Sequence, residues 1–211
     1  MSFTPHYLAK IAEVATLLDP VIIDRAVHIL RATRENGGRL FIVGSGGGAG
    51  HASHAVCDFR KLAAIEAYAP TDNVSELTAR INDDGWESSL ANSLKVSKIR
   101  AHDTLLIFSV GGGNEIKNIS VNLVNAAKTA KENGASVIAI VGRDGGYAAQ
   151  VGDATIIIPI VDADLVTPIT ESYQAVVWHL LVSHPDLQAS TAKWESTEER
   201  LKNWNSEILK F

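Results

Sequence analysis

The chain has 211 residues, 46% of them hydrophobic and 20% charged, with a formal net charge of -5. This composition predicts a folded domain with a full core, and the lack of any Lys/Arg cluster argues against nucleic acid as a partner. Cys57 is the sole cysteine, which excludes an internal disulfide or a cysteine-based zinc cluster and fits a reducing compartment. No apolar run approaches the roughly 18 residues of a membrane span, and the opening MSFTPHYLAK lacks a secretory h-region, so a cytoplasmic protein without a membrane partner is expected.

Residues 8–35 carry apolar positions at three- and four-residue spacing, broken at Asp19-Pro20 and stopped by Gly37-Gly38. The pattern predicts two helices ahead of the first strand. With no sheet of their own to cover, they are expected to pack on another subunit. From Arg39 onward, short apolar runs alternate with helical stretches: LFIV (40–43), AIEAYA (64–69), DTLLIFSV (103–110), SVIAIVG (136–142) and ATIIIPI (154–160). Helices are predicted near 49–62, 74–79, 86–99, 115–133 and 170–183. Apolar strands separated by helices predict an α/β fold, a doubly wound five-stranded parallel sheet with helices on both faces. In such sheets ligands bind beyond the carboxyl ends of the strands. The organisation read from this is N-terminal helices over 1–37, an α/β core over 38–185 and a charged helical tail over 186–211. In the tail, Trp194, Leu201, Trp204 and Leu209 are expected to pack.

Three strand ends carry glycine. Gly44-Ser45-Gly46-Gly47-Gly48 follows the first, Gly111-Gly112-Gly113-Asn114 the third and Gly142-Arg143-Asp144-Gly145-Gly146 the fourth. Glycine permits close backbone approach, and a helix opening after it aims free N–H groups at an anion, so a phosphate is the expected guest. No GK[ST] follows, which excludes a P-loop, and no suitably placed acidic residue completes a dinucleotide fingerprint. The helix after the first loop carries His51, His54 and Asp58, the last two on one face. A late helix, expected to open at Thr167-Pro168, carries Glu171, Gln174 and Trp178 near one face, with His179 adjacent. Asp58 and His179 share one space if those two helices meet.

Read in order, GSGGGAGHASHAVCDF, INDDG, FSVGGGN, AIVGRDGG and ESYQAVVWHL resemble the sugar isomerase (SIS) domain family, in its phosphoheptose isomerase branch. The resemblance spans about residues 5–185 and implies a single SIS domain over 1–211, assembled as a homotetramer with active sites at subunit interfaces. It implies an isomerase that interconverts sedoheptulose 7-phosphate and an aldose heptose 7-phosphate through an enediol. The family's catalytic glutamate and histidine fall on Asp58 and His179, and an assisting aspartate falls on Asp83, after Asn82. Its zinc ligands fall on His54, Asp58, Glu171 and His179. Substrate is then expected at Ser45, Gly46, Gly47, Gly48, Asn82, Asp83, Ser109, Gly111, Gly112, Gly113, Asn114 and Glu171.

This chain departs from the family at several of these positions. Asp58 is one methylene shorter than glutamate, so its carboxylate reaches about 1.5 Å less far. Glu171 replaces glutamine, which with Asp58 favours a divalent cation. The family's phosphate loop, S-T-S-G-N-S, becomes Ser109-Val110-Gly111-Gly112-Gly113-Asn114, Gly48 stands for a serine, and a longer stretch follows Asn114. Backbone N–H groups of residues 111–114 are expected to take over from the lost hydroxyls. The alternatives are an isomerase of another ketose phosphate, or a non-catalytic SIS protein that senses a phosphosugar or serves as a tetrameric adaptor.

Overall fold

The computed structural model describes residues 2–194. Two helices lead the chain, α1 (Phe3–Leu17) and α2 (Pro20–Glu35). Asp19 separates them and caps α2, its carboxylate accepting from Val21 N at 2.9 Å, with Pro20 in the first turn where its missing N–H is harmless. There follow β1 (Arg39–Gly44), α3 (Gly47–Lys61), β2 (Glu66–Tyr68), α4 (Val74–Asp84), α5 (Trp86–Val96) and β3 (Thr104–Ser109). The second half runs α6 (Val121–Glu132), β4 (Ser136–Val141), α7 (Gly146–Val151), β5 (Ala154–Ile157) and α8 (Val166–Ser183).

The five strands are parallel in the order β2-β1-β3-β4-β5. All five were expected from the sequence, and the chain reverses its winding between β1 and β3. That is the switch point at which a doubly wound sheet opens a crevice, and Ser45 and Ser109 stand at its two lips. Alternate strand residues feed two cores. Leu40, Ile42, Leu106, Phe108, Ile138 and Ile140 face α2, α3 and α8, while Phe41, Val43, Leu105, Ile107, Val137 and Ala139 face α5 and α6.

Several boundaries differ from expectation. Residues 115–120 are not helical: Asn114 and Ile119 exchange backbone hydrogen bonds at 2.8 and 2.9 Å, and Asn118 and Ser120 adopt left-handed backbone, so α6 starts at Val121. Helix α4 runs on to Asp84, and α7, only six residues long, gave too little periodicity to be read. Helix α8 opens at Val166 rather than at a Thr167 cap. Residues 186–194 form turns, not a helix, and Trp194 is exposed; Leu201, Trp204 and Leu209 lie outside the described residues. Those turns close the fold over α3: Arg34 donates to the carbonyls of Ala63, Asp186 and Leu187, and Ala189 N to Leu62 O. Among the described residues no helix is long and apolar enough to cross a membrane.

The sheet is pinned at the end opposite the crevice by Asp103, which is 1% exposed. Its carboxylate accepts from Arg39 N at 2.8 Å, Arg39 Nη2 at 2.7 Å and Arg100 N at 3.0 Å, joining the starts of β1 and β3. The same hydrogen bonding, helped by Coulomb attraction, holds the Arg39 guanidinium above its usual pKa. Asp103→Ala leaves these donors facing no acceptor and is expected to lower unfolding free energy by about 3 kcal/mol in urea titrations.

Candidate active site at the ends of β1 and β3

Helices α3 and α8 lie on the same face of the sheet and meet there. One turn of α3 sets His54 over Asp58, and α8 brings Trp178 and His179 to them. His54 Nε2 is 3.5 Å and His179 Nε2 3.4 Å from Asp58 Oδ2, and Trp178 Nε1 donates to that same oxygen at 3.0 Å. Trp178 is buried, its ring against His51, His54 and Phe108 at centroid distances of 5.2, 5.5 and 5.6 Å. The indole therefore fixes Asp58 while its own position is fixed by the core. His179 Nδ1 lies 2.8 Å from the carbonyl of Ala175, an acceptor only, so Nδ1 carries the hydrogen. The lone pair of neutral His179 is thus on Nε2, toward Asp58.

A cavity of about 260 Å³ opens at the crevice, lined by Ser45 and Gly48 after β1, Ser109 and Gly111 after β3, Ser120, Arg143, Glu171 and Gln174. The buried Gln174 links the cavity to the histidines: its Nε2 donates to Ile140 O at 3.3 Å and its Oε1 accepts from His51 Nδ1 at 2.9 Å. Asn122 Nδ2 donates to Ser45 Oγ at 3.1 Å, and Gly112 N donates to Ser109 Oγ at 3.1 Å. A larger cavity of about 460 Å³ lies at the β2 edge and has no histidine in its lining.

The expected residues divide into those the fold gathers and those it does not. His54, Asp58 and His179 come together. Glu171, expected as a fourth ligand, does not join them: it stands about 12 Å before His179 along α8. Its carboxylate oxygens occupy the place beside Gly47, 2.7 Å from where a β-carbon would sit. Asn82 and Asp83 are on exposed α4, hydrogen-bonded to each other at 2.8 Å, and line neither the cavity nor the cluster. Gly46 supplies the positive φ of the turn into α3, and a side chain at Gly48 would press on Phe108 O at 2.8 Å. Of the N–H groups expected to replace the lost serines, Gly112 N is taken by Ser109 and Asn114 N by Ile119 O. Gly112 and Gly113 pack on the turn into α7, where their carbonyls accept from Ala148 N and Tyr147 N. Sequence reasoning missed Asn122, Ser120, Arg143 and the His51–Gln174 pair. Arg143 lies inside a glycine loop already singled out, and His51 and Gln174 lie on helices already singled out, though their pairing was not foreseen; Asn122 and Ser120 carried no signal.

The SIS domain family profile matches residues 6–142, more than half of the chain. Phosphoheptose isomerase of Rhodospirillum rubrum is 30% identical over 164 residues, 75% of this chain and 81% of that protein. The chain belongs to the SIS-domain phosphoheptose isomerase family. It is 31% identical over 191 residues, 87% of this chain and 69% of that protein, to lincomycin biosynthesis protein LmbN of Streptomyces lincolnensis. Phosphoheptose isomerase of Neisseria gonorrhoeae, 24% identical, shares the fold with a TM-score of 0.72 over 85% of this chain and 95% of that one. As a SIS-domain isomerase, the chain needs a base and an acid, and the His54, Asp58 and His179 cluster supplies both kinds of group.

The same SIS-domain cluster fits a divalent cation. Each of the three residues offers one ligand atom, and these atoms all lie within 4.8 Å of one another. Three N and O donors with a position left open are the donor set of catalytic zinc, and the Ala175 carbonyl behind His179 is the kind of partner that holds a ligating imidazole. Trp178→Phe keeps the buried ring and removes the hydrogen bond to Asp58. It is expected to weaken Zn²⁺ binding about 10- to 100-fold in chelator competition, with the far-UV spectrum unchanged.

Proposed function

We propose that the chain is a phosphosugar aldose–ketose isomerase that interconverts sedoheptulose 7-phosphate and a D-glycero-heptose 7-phosphate through an enediol. One observation carries this reading: an acid–base cluster and a donor-lined anion cavity stand on the same helix, α3. Gly48 in the cavity and His54 in the cluster are about 9 Å apart along it, the order of an extended sugar phosphate.

In this reading Asp58 takes the proton from the carbon next to the ketose carbonyl, exchanges it with solvent, and delivers a proton to the neighbouring carbon. His179, protonated at Nε2, gives a proton to the carbonyl oxygen as the enediol forms and takes one from the hydroxyl of the first carbon as the aldose carbonyl forms, while its Nδ1–H stays tied to Ala175 O. Trp178 holds the Asp58 carboxylate in place through the proton transfers. Glu171, poised over Gly47, accepts from sugar hydroxyls rather than ligating metal. Where zinc is bound, His54, Asp58 and His179 would hold it and it would supply Lewis-acid stabilisation of the enediolate charge; Asp58 and His179 would then serve as ligands rather than as free base and acid. Exposed Phe3, Leu8 and Val21 on α1 and α2, with Val176 and Leu180 on α8, support a homotetramer.

A second reading, isomerisation of a different ketose phosphate, is favoured by the engaged N–H groups of Gly112 and Asn114, which leave this phosphate loop unlike a serine-rich one. The two readings share their chemistry and differ in the sugar. The test is turnover of a panel of ketose phosphates with sedoheptulose 7-phosphate among them, using wild type, Asp58→Asn and His179→Ala, each zinc-loaded and metal-stripped. Turnover by wild type that falls at least about 100-fold in both variants supports the isomerase. Turnover of a different ketose phosphate alone selects the second reading. A wild type inert toward the whole panel, with its oligomer intact, refutes both and leaves the non-catalytic alternative.

A further inference from the structure

The crevice cavity carries the Glu171 carboxylate, and its two serines are polarised toward donation. Ser45 Oγ already accepts from Asn122 Nδ2, and Ser109 Oγ already accepts from Gly112 N. Each hydroxyl therefore keeps its proton for something inside the cavity. Asn122 is fully buried, and its Oδ1 finds no partner among the described residues.

Across the cavity stands Arg143, the one cation of its lining. Among the described residues its guanidinium makes no hydrogen bond or ion pair, and its stem runs past Gly111, whose β-carbon would lie 3.9 Å from Arg143 Cδ. Its backbone is left-handed, with φ 56, a conformation unfavourable for a long side chain and held only where surroundings impose it. Those surroundings are clear: Gly142 N donates to Val110 O at 3.1 Å and Gly145 N to Gly142 O at 3.0 Å, which bends the loop back over the end of β3. The bend sets Arg143, exposed and unpaired within the described chain, in the lining of a cavity that also carries Ser45 and Ser109.

We propose that Arg143 is the cationic anchor for the substrate's phosphate, taking it together with the Ser45 and Ser109 hydroxyls. This rests on the phosphosugar reading above and adds the residue that replaces the lost serines: a charge-assisted, fork-shaped donor in place of neutral hydroxyls. Arg143→Gly is the informative variant, since glycine suits the left-handed backbone and removes the side chain without destabilising the loop. Two readouts are taken on the full chain: binding of inorganic phosphate by calorimetry, and kcat and KM for whichever ketose phosphate is turned over. Arg143→Gly is expected to weaken phosphate binding at least tenfold and to raise KM by a similar factor, with unfolding free energy held or raised. Arg143→Lys is expected to recover part of the binding. Unchanged phosphate binding in Arg143→Gly, or a wild type that binds no phosphate, overturns the anchor even if isomerase turnover is seen. Phosphate binding that depends on Arg143 without turnover of any ketose phosphate upholds the anchor and removes the isomerase reading instead.

Discussion

A single carboxylate oxygen organises the site. Asp58 Oδ2 accepts from the indole of Trp178 and faces two imidazoles from different helices. An aspartate so surrounded has little freedom, because its nearest partner is a ring buried in the larger core. The packing of α8 on α3 thus does two things at once. It buries apolar surface, and it fixes the spacing of a carboxylate and two imidazoles whose ligand atoms lie within 4.8 Å of one another.

The second constraint is the crowding of glycine loops beyond β3 and β4. Gly112, at φ 69, comes so close to the Gly145 carbonyl that a β-carbon could not be accommodated, and its amide is spent on Ser109. A loop made this way gives up hydroxyl contacts and gains proximity to its neighbour, which carries Arg143. The electrostatic balance of the cavity then lies between donors on the loops and the Glu171 carboxylate by Gly47. Phosphate and sugar hydroxyls ask for opposite partners, donors for the first and acceptors for the second, and the crevice lining holds both.

Much of this was legible in the sequence wherever a local pattern decides the outcome. The five strands declare themselves as apolar runs, and the His54–Asp58 spacing fixes a shared helical face before any tertiary contact is known. His179 was legible only through the resemblance, since nothing local says that α8 meets α3. What stayed hidden depends on packing between distant segments. Glu171 shares α8 with His179 but is two turns away, so within one chain the carried-over ligand set does not come to one point. Asp83 fell on a segment whose helix was read too short. The stretch 115–120 reads as helix in the sequence because its break comes from Asn118 and Ser120 entering left-handed backbone, which a charged, helix-tolerant stretch does not announce.

The central claim is that an enediol forms at Asp58 and His179, with the proton moving through a side chain that can exchange it with solvent. It is tested most directly by running the wild-type reaction on sedoheptulose 7-phosphate in D₂O and following the protons on the first two carbons by NMR. The account predicts solvent deuterium at the carbon that receives the proton, in the product or by exchange into the recovered ketose. Aldose formed with the original hydrogen fully retained, as a direct hydride shift would leave it, would contradict the account.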